Sequence, residues 1–246
     1  MSIIATLMKP YVKSVQNSAE KYGGRCSWAF SQCLEPVASI IGKDKVTADG
    51  ICEMLSAKWI DEHAHGRSLR GWLCTDGASI DPSKIRLLMQ LFIIGESMRP
   101  EQMIDSAVRL KHARYGTTDT QSKATDNYLK SHGLKLVDNN ASFEVWRQGS
   151  MDGGEKIKHG LAAAIAGGQG SMPAYRTIGV WGKVGGHAMA GWKGDNAVHY
   201  FDPNFGEFQF GDRDTFITWF TKGFYPKSFY TKFLGNNYEV RRYELA

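Results

Sequence analysis

Three side chains stand out for the chemistry they could do together: the thiol of Cys52, the imidazole of His187 and the carboxylate of Asp202. His187 and Asp202 lie in two apolar-rich runs that flank Lys193-Gly194-Asp195-Asn196. Gly-Asp suits the tip of a two-residue hairpin, because glycine takes a positive φ without strain. With Gly194-Asp195 at the tip, Lys193 faces Asn196. His187 then falls directly opposite Asp202 on one face, with Cβ atoms about 4.5–5.5 Å apart. Pro203 cannot extend a central strand, so the second strand is expected to end just past Asp202. Alone, such a pair is more often an ordinary polar contact; a nucleophile must complete it. A thiol attacks as thiolate, and a helix N-terminus and a nearby imidazolium both stabilise that anion. Cys52 fits this better than Cys26, Cys33 or Cys74. It follows Thr47-Ala48-Asp49-Gly50, a helix-start pattern, and stands beside the apolar stripe of Ile51, Leu55 and Trp59.

The elements that must position these groups divide along the chain. A helix is expected over residues 3–20, interrupted by Pro10 and ended by Gly23-Gly24. Further helices are expected over Ile51–Ile60, Pro82–Ile94, Pro100–Arg114 and Thr120–His132. Short strands follow at Leu134–Val137 and Phe143–Arg147, around Asp138-Asn139-Asn140, and then an Ala-rich helix at Ile157–Ile165. Tyr175–Trp181, His187–Trp192, Ala197–Asp202 and Glu207–Phe210 read as a β-meander. A helix opening at Asp212 and a last strand at Tyr238–Tyr243 complete the pattern. Helices first and an antiparallel sheet afterwards make an α+β fold rather than alternating βαβ units. The 246 residues read as one domain: an N-terminal extension over 1–45, a mainly helical part over 46–132 and a mainly β part over 133–246.

Composition excludes several classes. Hydrophobic content of 42% and charged content of 22% are those of an ordinary globular protein. The net charge of +5 is spread along the chain, with no arginine-rich arm, zinc-finger spacing or RNA-binding signature, so no nucleic-acid partner is expected. No apolar run reaches membrane-spanning length, and the first ten residues do not read as a conventional secretory signal. The four cysteines include no Cys-x-x-Cys pair, which points to reduced thiols in a cytosolic setting.

Gly50-Ile51-Cys52-Glu53-Met54-Leu55-Ser56-Ala57-Lys58-Trp59-Ile60 resembles the nucleophile segment of the YopT/AvrPphB-type cysteine peptidases, bacterial effectors with a papain-like fold. The shared elements are Gly-x-Cys, an aliphatic and a small residue shortly after, and then Trp. His187-Ala188 and Phe201-Asp202-Pro203-Asn204-Phe205-Gly206 resemble the family's His and Asp segments, in the same order. The matched region runs from about Lys45 to Phe210. The resemblance implies a papain-like fold with Cys52 as nucleophile, His187 as base and Asp202 as orienting acid, and no cofactor or metal. It also implies a thiol protease acting as a virulence effector, of the type III kind, secreted without a conventional signal peptide and acting in the host cytoplasm. The partner is then a host protein substrate; family members cut prenylated small GTPases or kinases. A monomer is expected, and the basic balance would suit contact with an anionic membrane surface. The same three groups also serve acyl transfer, transglutamination and deamidation, and a non-catalytic binding module on this fold is the third reading.

Four other patterns compete. Cys26-Ser27-Trp28-Ala29-Phe30-Ser31 is similar to the papain nucleophile segment with one residue inserted, which would rotate the thiol about 100° on a helix. His63-Ala64-His65, beside Asp61 and Glu62, reads as a solvated helix end rather than a metal site. His199 falls on the strand face opposite Asp202 and reads as packing. Gly153-Gly154 and Gly167-Gly168-Gln169-Gly170 lack Walker A spacing. For an oxyanion hole the Cys52 amide is one donor; Thr47 or a residue elsewhere supplies the second, and Asp49 as an N-cap would compete for that amide.

Overall fold

A computed structural model describes residues 8–48, 50–97, 118–137, 142–145, 153–168, 171–182, 185–234 and 237–246. The expected helix over 100–114, the tripeptide Asp138-Asn139-Asn140 and Asp49 lie outside them. Nine α-helices follow one another among the described residues: α1 Val12–Gln16, α2 Val37–Ile41, α3 Cys52–Ala64, α4 Leu69–Leu73, α5 Pro82–Ser97, α6 Thr118–Ser131, α7 Gly153–Ala166, α8 Arg213–Trp219 and α9 Tyr230–Phe233. The strands are β1 Gly24–Trp28, β2 Leu134–Leu136, β3 Ser142–Val145, β4 Ala174–Gly182, β5 Gly185–Lys193, β6 Val198–Asp202, β7 Gly206–Phe210 and β8 Asn237–Leu245.

They form one antiparallel sheet in the order β1-β7-β6-β5-β4-β8-β2, with β3 also paired to β8. The α+β class expected from the sequence is the one observed. The sheet takes in more of the N-terminal region than the meander suggests, because β1 pairs with β7 at the edge. Gly24 allows that pairing: a Cβ there would run into the Phe210 ring. From Met8 onward the expected long N-terminal helix is broken. A 3-10 turn at Lys9–Tyr11 contains Pro10, and the α-helix resumes after it over Val12–Gln16. Proline has no N–H to donate, so the ladder restarts after it.

Side-chain alternation gives the sheet two apolar faces. Ile178, Val180, Met189, Val198, Tyr200 and Phe208 pack against α1, α7 and α8 through Val15, Leu161 and Trp219. Tyr175, Ala190, Phe201 and Tyr243 pack on the other side against Leu55, Trp59 and Ile60 of α3 and Leu88 of α5. Each large side chain buried this way stabilises the fold by about 1.5–3 kcal/mol. Helix α3 therefore lies across the middle of the sheet, anchored by its Leu55–Trp59 stripe, and its N-terminus is carried to the sheet's end.

The β5–β6 hairpin differs from the expected register by one residue at the turn. Gly194 N–H donates to the Ala197 carbonyl at 2.8 Å, and Lys193 pairs with Val198, so Asp195-Asn196 is the tip. Neither Asp195 nor Asn196 has a positive φ, so the primed turn expected from Gly-Asp is not formed. Gly194 serves another need: the Trp192 ring lies across it where a Cβ would project.

Candidate active site

His187 lies on β5 opposite Val180, and Asp202 is the last residue of β6. In the observed register Asp202 is diagonal to His187 rather than directly opposite. Moving the tip by one residue moves the opposite partner by two, so both side chains stay on one face, where diagonal neighbours remain in reach. His187 Nε2 is 2.8 Å from Asp202 Oδ1, with the residues 5% and 0% exposed. An ionised carboxylate only accepts, so Nε2 carries the proton and Nδ1 is left for another partner. Cys52 is the other group that acts on the imidazole, by hydrogen bond and charge. Cys52 is the first residue of α3, and its Sγ accepts the Ala188 N–H at 3.4 Å. Burial alone would lower the His187 pKa; the Asp202 charge and hydrogen bond, with Cys52, raise it to about 10. The structure thus brings Cys52, His187 and Asp202 together.

Asp202 is held by more than the histidine. Asn204 N–H donates to Oδ1 at 2.8 Å, and Tyr230 Oη lies 2.9 Å from Oδ2. Asn204 Nδ2 in turn donates to Tyr230 Oη at 3.1 Å. Asn204 Oδ1 accepts from Gln32 Nε2 at 2.9 Å, and Gln32 Oε1 accepts the Ile51 N–H at 3.1 Å. A buried chain of hydrogen bonds therefore runs from the carboxylate behind His187 to the residue that precedes Cys52. It needs Gly50, whose φ of 118° a side chain would resist and whose missing Cβ leaves room for the Gln32 amide. Sequence reasoning missed Gln32 and Tyr230. Both are far from Cys52 and His187 along the chain, and neither sits in a recognisable motif.

Several expectations need correcting. Thr47 is fully buried and donates its hydroxyl to the Ile41 carbonyl at 2.9 Å, so it is not available as an oxyanion donor. Cys26 lies within β1, opposite Phe208, not at a helix start. His63 is not at a solvated helix end. It lies 5.0 Å from the rings of Trp59, Trp192 and His199, its Nε2 is 2.8 Å from His199 Nδ1, and its Nδ1 is 3.0 Å from Tyr175 Oη. The period of α3 turns His63 toward the sheet with Trp59, whereas His65 stays half-exposed against Asp61. His199 does face away from Asp202 and packs on Trp192. Glu207 is a structural anchor: its carboxylate accepts from Trp59 Nε1 at 2.9 Å and from Ser27 Oγ at 2.8 Å. Gly153-Gly154 opens α7, and Gly167, with φ 68°, closes it; Gln169 and Gly170 lie outside the described residues. Among the described residues no group of three His, Cys, Asp or Glu is arranged to hold a metal, and no helix is long and apolar enough to cross a membrane.

Helices packed on an antiparallel sheet, with a cysteine at a helix start facing a histidine on the sheet, define the class of papain-like cysteine peptidases. Within that class the chain belongs to the Peptidase_C58 family, Yersinia/Haemophilus virulence surface antigen, whose model matches residues 16–245. It is similar to the cysteine protease yopT1 of Yersinia enterocolitica, 29% identical over 239 residues, which cover 95% of this chain and 68% of that protein. It is also similar to a short part of the protein adenylyltransferase and cysteine protease IbpA of Histophilus somni. That match is 25% identical over 91% of this chain and 5% of the relative. Among solved structures, the Pseudomonas avirulence protein AvrPphB shares the fold, with a TM-score of 0.55 at 15% identity, covering 82% of this chain and 95% of that one.

Proposed function

We propose that this cysteine peptidase cleaves a host protein, with Cys52 as nucleophile, His187 as general base and Asp202 as the group that orients the imidazole. The observation that carries this reading is the 2.8 Å bond between His187 Nε2 and Asp202, which leaves Nδ1 for the thiol at the start of α3. The Cys52 proton rests on His187 Nδ1, giving an imidazolium held by Asp202, and the thiolate attacks the scissile carbonyl carbon. The imidazolium then gives its proton to the leaving amine as the peptide C–N bond breaks, leaving a thioester on Cys52. His187 next takes a proton from water, and the resulting attack on the thioester releases the acid and restores the thiol. The Cys52 amide, in the first turn of α3, is one donor for the tetrahedral oxyanion. Gln32 is the second: Asn204 engages one Nε2 proton, and the other is left for the oxyanion.

The target is a host protein, reached inside the host cell by a secreted virulence effector, and the basic balance of the chain favours an acidic or membrane-associated one. The test is terminal-peptide mass spectrometry of a host lysate treated with the wild-type chain or Cys52→Ala, with a primary amine added to half the samples. New termini that require Cys52 support the reading. Products joined to the amine without chain cleavage would replace peptidase by acyl transferase, and no Cys52-dependent product would remove catalysis.

A further inference from the structure

We infer that the chain binds a phosphate-type oxyanion on the α7 face of the sheet, held between Arg176, Arg242 and Ser171. Arg176 and Arg242 are directly paired across β4 and β8, and the β5 residue beside Arg176 is Gly191, which has no side chain. Like charges placed opposite each other on one face destabilise a sheet. A buried cation costs more still unless an anion meets it, and arginine is seldom buried unpaired. Arg176 is only 4% exposed, yet its hydrogen bond is to a carbonyl, that of Ala174 at 3.1 Å, and no carboxylate reaches it among the described residues. Burial, and then the Arg242 charge, lower its pKa to about 10, the sign of a cation lacking a counter-charge.

The groups around it also have capacity to spare. Arg242 gives Nη2 to Glu244 at 2.6 Å, while its buried Nε has no partner. Ser171 Oγ is buried without a partner as well. Arg176 Nη2 and Ser171 Oγ come together over Gly167, each 2.7 Å from where a Cβ would stand. Lys193, 6% exposed, adds a further positive charge, its ammonium resting on the Ser171 carbonyl at 2.6 Å. Donors of this kind, two of them guanidinium forks, match an anion with several acceptor oxygens. The site is separate from Cys52: Arg176 is four residues along β4 from the rung that carries His187, about 13 Å at strand rise. Met172, the next residue along the chain from Ser171, is 69% exposed. The phosphate is therefore either a free anion or the headgroup of an anionic lipid, with Met172 entering the interface in the second case.

The test is thermal unfolding of the full chain against rising inorganic phosphate, with chloride at matched ionic strength as control. It is paired with flotation on phosphatidylcholine vesicles with and without a phosphatidylinositol monophosphate. A saturable rise in Tm specific to phosphate is expected, with binding weakened about tenfold or more in Arg242→Gln and in Ser171→Ala, which keep the buried Arg176 in place. Flotation that needs the anionic lipid and falls in Met172→Ser assigns the lipid headgroup; a phosphate response without flotation assigns the free anion. Equal responses to phosphate and chloride with no flotation, or responses unchanged in Arg242→Gln and Ser171→Ala, overturn the inference. Iodoacetamide labelling of Cys52 serves as a folding check in every variant.

Discussion

Cys52 differs from the other three thiols in its surroundings. Burial pushes the Cys26 pKa up to about 11 and that of Cys33 up to about 12, with the Asp202 charge adding to the latter; burial also raises Cys74. Cys52 instead begins α3 beside a histidine that stays protonated to high pH. Iodoacetamide at mildly acidic pH should therefore label Cys52 ahead of the others, as peptide mapping would read; first labelling at Cys26 would undo the assignment. Asp202→Asn tests the carboxylate. An amide can donate toward Nε2, which favours the wrong imidazole tautomer, so kcat should fall by up to about 10⁴. The buried acceptor meets donors from His187, Asn204 and Tyr230, and an amide NH2 conflicts with at least one of them. A loss of about 1–3 kcal/mol in urea unfolding is expected as well.

At the scale of elements, the link between α3 and β7 decides where Cys52 stands. Glu207→Gln replaces one acceptor oxygen by a donor, so Trp59 or Ser27 loses its partner. Stability should drop by about 1–3 kcal/mol, and turnover should fall as α3 loosens. Asp195→Asn, at the exposed hairpin tip, should leave both unchanged. The comparison needs only urea curves and initial rates. Most of these elements were legible in the sequence, because runs of β-branched and aromatic residues bounded by glycine and proline mark β4–β7, and the Ile51–Leu55–Trp59 stripe marks the buried side of α3. The turn was not legible, since Gly194 is required by the Trp192 ring rather than by a positive φ. The pairing of faces nevertheless survived, because a one-residue move of the tip preserves parity. Gln32 and the edge strand β1 stayed hidden because their partners, Asn204 and β7, come from distant parts of the chain that no local pattern connects.

For the whole molecule, the half-buried His63 and the buried His187 bound the pH range of stability from opposite sides. Burial, with the His199 charge, lowers the His63 pKa to about 4. The unfolded chain then binds more protons as pH falls from about 6.5, and stability is lost toward pH 4. His187 has its pKa raised, so its contribution is full below about 6.5 and is lost as pH climbs toward its folded value of about 10. Urea midpoints should therefore peak near pH 6.5; His63→Phe should flatten the acid limb and His187→Gln the alkaline one. The strand order has a consequence in time as well as in space. β8 follows every other strand along the chain, yet it lies between β4 and the pair β2 and β3. Until it arrives, β2 and β3 have nothing to join, β4 presents a bare edge, and Tyr243 is not there to hold Asp126 of α6. A chain that emerges N-terminus first, from a ribosome or through a narrow channel, cannot close its sheet before residues 237–245 are out. Completion of the fold is thereby timed to the release of β8.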